Sequence, residues 1–197
     1  LSRSVSRAQG IHAAAQYARI TGILGGEKPV GDSRLRVDPS ARQKAQKLLQ
    51  AHGVSGRFVI LCPFSGAADT TGKKQWPDFP ELAKLIHSAG WTVVLCPGPG
   101  EEPQAQSGYA DGVVLQGVDL GTYAALLTMA DFAVSNDTGP GHVAAAVGCR
   151  VFGVYGPGSI RMWSPVGPAV SLLICDGRWP TLQEVWARIQ RDVGVAS

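Results

Sequence analysis

Residues 130–157 read ADFAVSNDTGPGHVAAAVGCRVFGVYGP. Asp131 to Ser135 is a short, largely apolar run of strand type. A polar, glycine-rich turn follows, Asn136-Asp137-Thr138-Gly139-Pro140-Gly141. His142 to Gly148 is small and alanine-rich, which suits a helix lying close on a sheet. Arg150 to Tyr155 is apolar again, and Gly156-Pro157-Gly158 stops it. Strand, loop, helix and strand in this order make the βαβ unit of a parallel sheet. Such sheets bind ligands beyond the carboxyl ends of their strands, and the Asn136–Gly141 loop sits at such an end.

The residue types of that loop define two readings. Glycines let backbone approach a ligand closely. A helix start offers N–H groups and the positive end of a dipole, which suits phosphate. The Thr138 hydroxyl adds a donor, and Asp137 can accept from sugar hydroxyls. In the plainer reading, Asp137 or Thr138 caps the helix and the glycines only turn the chain.

Outward from this unit the same alternation continues. Upstream, Asp38-Pro39 starts a helix with an N-cap followed by proline, striped by Ala41, Ala45, Leu48 and Leu49 and ended by Gly53. Arg57 to Cys62 is a strand whose unbroken apolar centre implies burial on both faces. A long loop, 63–77, leads to a helix over Asp78–Ala89, then a strand over Trp91–Cys96. Pro97-Gly98-Pro99-Gly100-Glu101-Glu102 opens another helix and lacks the third glycine of a dinucleotide fingerprint. Gly112 to Leu115 is a short strand, and Asp119 is placed to cap a helix over 120–129. Downstream, residues 157–168 form a second glycine- and proline-rich loop carrying Arg161 and Trp163. A last strand, Ala169–Cys175, precedes the capping box Thr181–Glu184 of a helix that runs to about Val193. The fold class is therefore α/β: a Rossmann-like parallel sheet of about six strands with helices on both faces.

Residues 1–24 also read as a helix, with Ile11, Ala14, Ala15 and Ala18 on one narrow face and Gly25-Gly26 at its end. Residues 25–37 read as a linker. The expected organisation is a helical tail and linker over 1–37 followed by a Rossmann-like domain over 38–197.

A chain of 197 residues, 45% hydrophobic, supports one ordinary core. The net charge of +3 fits a small anionic ligand or an anionic membrane surface, and no dense run of Lys and Arg points to nucleic acid. No apolar stretch approaches 18 residues. Cys62, Cys96, Cys149 and Cys175 lie far apart with no C-x-x-C pair, which reads as buried free thiols in a reducing cytoplasm rather than a zinc site.

The run Asp137-Thr138-Gly139-Pro140-Gly141-His142-Val143-Ala144-Ala145-Ala146, with Val154-Tyr155-Gly156-Pro157 after it, resembles the D-T-G-x-x-H-x-A-A-A…Y-G-P signature of the bacterial heptosyltransferases. These are glycosyltransferases of GT-B architecture that build lipopolysaccharide core. The resemblance spans about residues 38–193 and implies the C-terminal, donor-binding half of a GT-B fold, with 38–197 as the nucleotide-sugar-binding domain and 1–37 as the remnant of an N-terminal domain or an interdomain helix. It implies a nucleotide-diphosphate sugar as donor, ADP-heptose, and a lipopolysaccharide core acceptor held by a further domain. Lys74-Gln75-Trp76-Pro77 matches the family's K-x-W-P, so Lys74 is expected on the donor diphosphate and Trp76 as a packing anchor. Ser65 and Gly66 stand in the small-residue part of that loop, which is longer here than usual. Glu101 or Glu102 is the counterpart of the family's ribose-binding acid, or else a plain first-turn acid; a carboxylate suits a diol because it accepts two hydroxyl protons.

Backbone near Val118 is expected at the adenine. Asp137, Thr138 and Gly139 are expected at the donor, with His142 touching phosphate, orienting the loop or capping the helix. The family's base is an aspartate after a first N-terminal strand; Gly31-Asp32 follows no strand, so the catalytic base is expected outside this chain. No metal and no cofactor beyond the donor are expected. Two further readings stand beside the transferase: a nucleotide-sugar-binding module inactive without its acceptor domain, and an epimerase sharing the half-fold. The expected location is the cytoplasm or the cytoplasmic face of the inner membrane.

Overall fold

The computed structural model describes residues 12–23, 34–65, 75–157 and 163–194. Strands β1 (Phe58–Cys62), β2 (Thr92–Leu95), β3 (Val113–Val114), β4 (Ala133–Ser135), β5 (Val151–Tyr155) and β6 (Val170–Ile174) form one sheet. Their order is β3-β2-β1-β4-β5-β6, and every neighbouring pair is parallel. The helices are α1 (Ala13–Ile23), α2 (Pro39–Ala51), α3 (Phe79–Ser88), α4 (Glu102–Gly108), α5 (Leu120–Leu127), α6 (Gly139–Ala146) and α7 (Leu182–Val193). The Rossmann-like sheet of six strands expected from the sequence is present.

Successive side chains of a strand point to opposite faces, so β1 feeds two cores. Val59 and Leu61 meet Phe79, Leu82 and Ile86 of α3 and Val185 and Ile189 of α7. Phe58, Ile60 and Cys62 meet Ala45 of α2, Leu126 of α5 and Ala144 of α6. All five β1 residues are buried, and fully burying a Leu or Ile contributes about 1.5–3 kcal/mol. Helix α6 lies close on the sheet because its inner face is small: a Cβ on Gly141 would stand 3.0 Å from the Ser135 hydroxyl.

Element boundaries differ from the sequence reading in instructive ways. Helix α6 begins at Gly139, ahead of the expected His142, because Pro140 occupies the first turn where its missing N–H costs nothing. Strand β4 begins at Ala133 rather than Asp131, although the Asp131 N–H still donates to the Phe58 carbonyl at 2.9 Å. In α1 the buried alanine is Ala13, while Ala14 and Ala15 are exposed; alanines all round the helix define its packed face poorly. His12 Nε2 bonds the Ser164 carbonyl at 2.9 Å and ties the start of α1 to the loop before β6. Ile11, Gly25-Gly26 and Gly31-Asp32 lie outside the described residues.

The amino ends of three strands are joined at one carboxylate. Asp131 Oδ2 accepts from Arg57 Nε at 2.9 Å and from Trp91 Nε1 at 2.5 Å. The Arg57 guanidinium lies 4.1 Å over the Trp91 ring, and Trp91 and Phe152 each pack edge-on against Phe132. These contacts close the end of the sheet away from the candidate site. Asp131→Ala deprives the indole N–H of its partner, so urea unfolding is expected to show a loss of about 1–3 kcal/mol; an unchanged midpoint would contradict this role.

Candidate functional site

The strand order reverses at β1: the chain runs from β1 outward to β2 and β3, then returns to place β4 on the other side of β1. Two connections leaving neighbouring strands in opposite directions open a crevice at their carboxyl ends. A cleft of ≈ 420 Å³ occupies that place. It is walled by Phe64 and Ser65 after β1, Cys96, Pro97, Gly98 and Glu101 after β2, Val118, Leu120 and Tyr123 after β3, and Thr138, Gly139 and Pro140 after β4.

Each wall has a local cause. The Ser65 hydroxyl accepts from Gln75 Nε2 at 3.1 Å, across the loop that joins β1 to α3. Glu101 is folded into its own turn: Oε2 accepts the Gly98 N–H at 2.8 Å, and the Glu101 N–H returns a bond to the Gly98 carbonyl at 3.0 Å. Gly100 makes that turn with φ +86°, a conformation that favours glycine. Glu102 accepts the Gly100 N–H at 2.7 Å and is absent from the cleft wall. Asp119 caps α5 by accepting from both the backbone N–H and the hydroxyl of Thr122, each at 2.8 Å, and these bonds hold its carboxyl below the ordinary range. That cap fixes Val118 and Leu120 on either side of it; Leu120 is 66% exposed, a large apolar side chain at the mouth of the cleft.

Thr138 is the N-cap residue of α6 but makes no side-chain cap bond. Its own N–H donates to the Asn136 carbonyl at 2.8 Å, and its hydroxyl lies 3.4 Å from that of Ser135. The plain capping reading of Thr138 therefore does not describe its side chain. The positive end of α6 faces the cleft through Thr138 and Gly139.

Behind the wall, Tyr123 Oη and Cys62 Sγ are 3.1 Å apart and buried. Burial pushes the Cys62 thiol up to about 11 and the Cys149 thiol to about 12, and raises Cys96 further. These thiols are protonated at neutral pH, so none of them is a nucleophile there. All four cysteines are free. Among the described residues no group of three His, Cys, Asp or Glu side chains is placed to hold a metal ion, and no helix is long and apolar enough to cross a membrane.

Of the residues expected at the site, Ser65, Glu101, Val118, Thr138 and Gly139 come together in the one cleft from four separate loops. Asp137 and His142 are not on its wall. The Asp137 charge acts on Tyr155, whose hydroxyl is raised by burial first and by that charge second. His142 lines a second cleft, ≈ 380 Å³, on the α1 side of α6 with His12 and Arg34. Gly66, Lys74 and Arg161 lie outside the described residues. Trp76 is 2% exposed, donates its indole N–H to the Pro180 carbonyl at 2.8 Å and packs on Phe79, the expected anchor. Sequence reasoning did not reach Phe64, Cys96, Leu120 or Tyr123, because nothing in an apolar residue or a strand-end thiol signals that it faces a cleft.

Among the described residues, Tyr155 Oη is buried without a hydrogen-bond partner. Tyr155→Phe removes that unpaired hydroxyl, so the unfolding free energy is expected to rise by about 1 kcal/mol; a loss of stability in urea titration would reveal a partner for the hydroxyl.

A family model described as Glycosyltransferase family 9 (heptosyltransferase) matches residues 3–185. Among solved structures, a glycosyl transferase family 9 protein from Veillonella parvula DSM 2008 superposes with a TM-score of 0.76 at 19% identity, over 98% of this chain and 56% of its own. The ADP-heptose lps heptosyltransferase II of E. coli gives 0.69 at 22% identity, over 86% and 56%. Both show the fold. The E. coli heptosyltransferase WaaC with ADP gives 0.70 at 25% identity, over 99% and 60%. The chain thus spans little more than half the length of these structures. No curated protein sequence matches.

Proposed function

The chain belongs to glycosyltransferase family 9, and on that premise we propose that it is the donor-binding part of a heptosyltransferase. The cleft at the carboxyl ends of β1 to β4 takes the nucleoside diphosphate of an ADP-heptose donor. The observation that carries the reading is the convergence of Ser65, Glu101, Val118, Thr138 and Gly139 from four loops into one cleft. WaaC, similar over 99% of this chain, is known with ADP and with ADP-2-deoxy-2-fluoro heptose.

The chemistry of the walls divides the ligand among them. The apolar side, Val118, Leu120 and Pro97, suits a nucleobase. Glu101 stands on the cleft wall as the carboxylate that accepts ribose hydroxyls. The positive end of α6, with Thr138 and Gly139, takes the diphosphate, and by the family resemblance Lys74 adds a cation there. In transfer, the bond between the sugar's anomeric carbon and the diphosphate oxygen breaks as an acceptor hydroxyl attacks that carbon. Charge develops on the departing diphosphate, where a fixed dipole and hydrogen-bond donors lower the barrier. The acceptor, a lipopolysaccharide core sugar, and the base that takes its proton belong to a further domain, with residues 1–37 as the connection to it. No metal takes part. The enzyme works at the cytoplasmic face of the inner membrane, where such an acceptor is presented.

Calorimetric titration tests the reading. The chain is expected to bind ADP in preference to GDP and UDP, equally with magnesium and with EDTA. Glu101→Ala is expected to weaken ADP by about tenfold, one decade of Kd or 1.4 kcal/mol. A folded chain that binds none of the three nucleotides contradicts the proposal.

A further inference from the structure

One buried side chain beneath the cleft has no part in the function above. Asn136 is 1% exposed and is not on the cleft wall. Its carboxamide nevertheless reaches both ends of the connection from β1 to α3. Nδ2 donates to the Pro63 carbonyl at 2.6 Å, and Oδ1 accepts the Trp76 N–H at 3.0 Å. The Asn136 N–H donates to the Cys62 carbonyl at 3.3 Å. The carboxamide orientation follows from its partners, since the donor faces a carbonyl and the acceptor faces an N–H.

These partners stand next to the walls. Pro63 is followed directly by Phe64 and Ser65. Trp76 is held from behind by Pro180 and Phe79, so it gives the carboxamide a fixed point. On its own strand, the Asn136 carbonyl accepts from the Thr138 N–H and the Ser135 hydroxyl, both at 2.8 Å. One residue therefore links the wall after β1 to the wall after β4, through its side chain on one side and its backbone on the other. Asparagine alone among residues of this size supplies a donor and an acceptor in one rigid plane. Aspartate keeps the acceptor for Trp76 but sets a carboxylate against the Pro63 carbonyl.

We infer that Asn136 is the positioning residue of the cleft: its carboxamide sets the distance between the Phe64–Ser65 wall and the Thr138–Pro140 wall without touching the ligand. The inference rests on the donor-binding reading.

ADP titrations of the full chain test it, with wild type, Asn136→Asp, Ser65→Ala and the double variant, each checked by urea unfolding. Folded Asn136→Asp is expected to raise the Kd for ADP about tenfold or more, and Ser65→Ala in that background to add less than about twofold, because Ser65 is already displaced. A carboxamide that only stabilises the fold would move the unfolding midpoint and leave the Kd of the folded protein alone. A folded Asn136→Asp chain with the wild-type Kd, or losses that multiply in the double variant, overturns the inference and leaves donor binding standing. Failure of the wild type to bind ADP overturns both. Should Asn136→Asp not fold, exchange of the Asn136 side-chain amide protons in the wild type decides: saturating ADP is expected to slow it about fivefold or more, as a bound ligand stabilises the closed site, and an unchanged rate overturns the inference.

Discussion

Where the strand order of a parallel sheet reverses, one strand sends its chain to one side and has it return on the other. In this protein that strand is β1, with β2 on one edge and β4 on the other. The register places Leu61 beside both Leu95 and Val134, so the three strands end at nearly one level. Their connections then diverge, and the space between them has no strand to fill it. The cleft is a consequence of the sheet order. Its walls are whatever residues the loops carry at that level, which is why chemistry on this fold is written in loops rather than in the core.

Among the described residues, what the loops carry is a soft electrostatic gradient. The buried thiols are held protonated by the apolar surroundings that make the fold stable. The carboxylate on the wall, Glu101, is partly used by its own turn. What remains is a positive helix end with hydroxyls beside it and an apolar rim. On the proposed reading, such a wall recognises a nucleotide and stabilises a leaving phosphate.

The fold was legible because parallel strands buried on both faces appear as unbroken apolar runs, as in Phe58 to Leu61, and because Asp38, Asp119 and Thr181 cap helices in the way their side chains allow. Boundaries were less legible where one residue type serves two purposes. Gly139-Pro140-Gly141 reads as a loop, yet proline and glycine there form the first turn of α6. That earlier start sets the helix phase, which carries His142 to the α1 side and leaves Thr138 and Gly139 at the cleft. The family signature marked the stretch without distinguishing its two sides. Asn136 was visible only as a polar turn residue, since its partners are backbone groups 73 and 60 residues away in sequence, and backbone groups leave no trace in a sequence.

Hydrogen–deuterium exchange of the chain with and without ADP tests the central claim most directly, because it reads the loops independently of turnover. A nucleotide seated at the strand-order reversal predicts slowed exchange in the turns at 97–101, 118–120 and 136–141, with the Asp131 end of the sheet unchanged. Protection confined to other segments, or none at saturating ADP, would contradict a donor site at the carboxyl ends of β1 to β4.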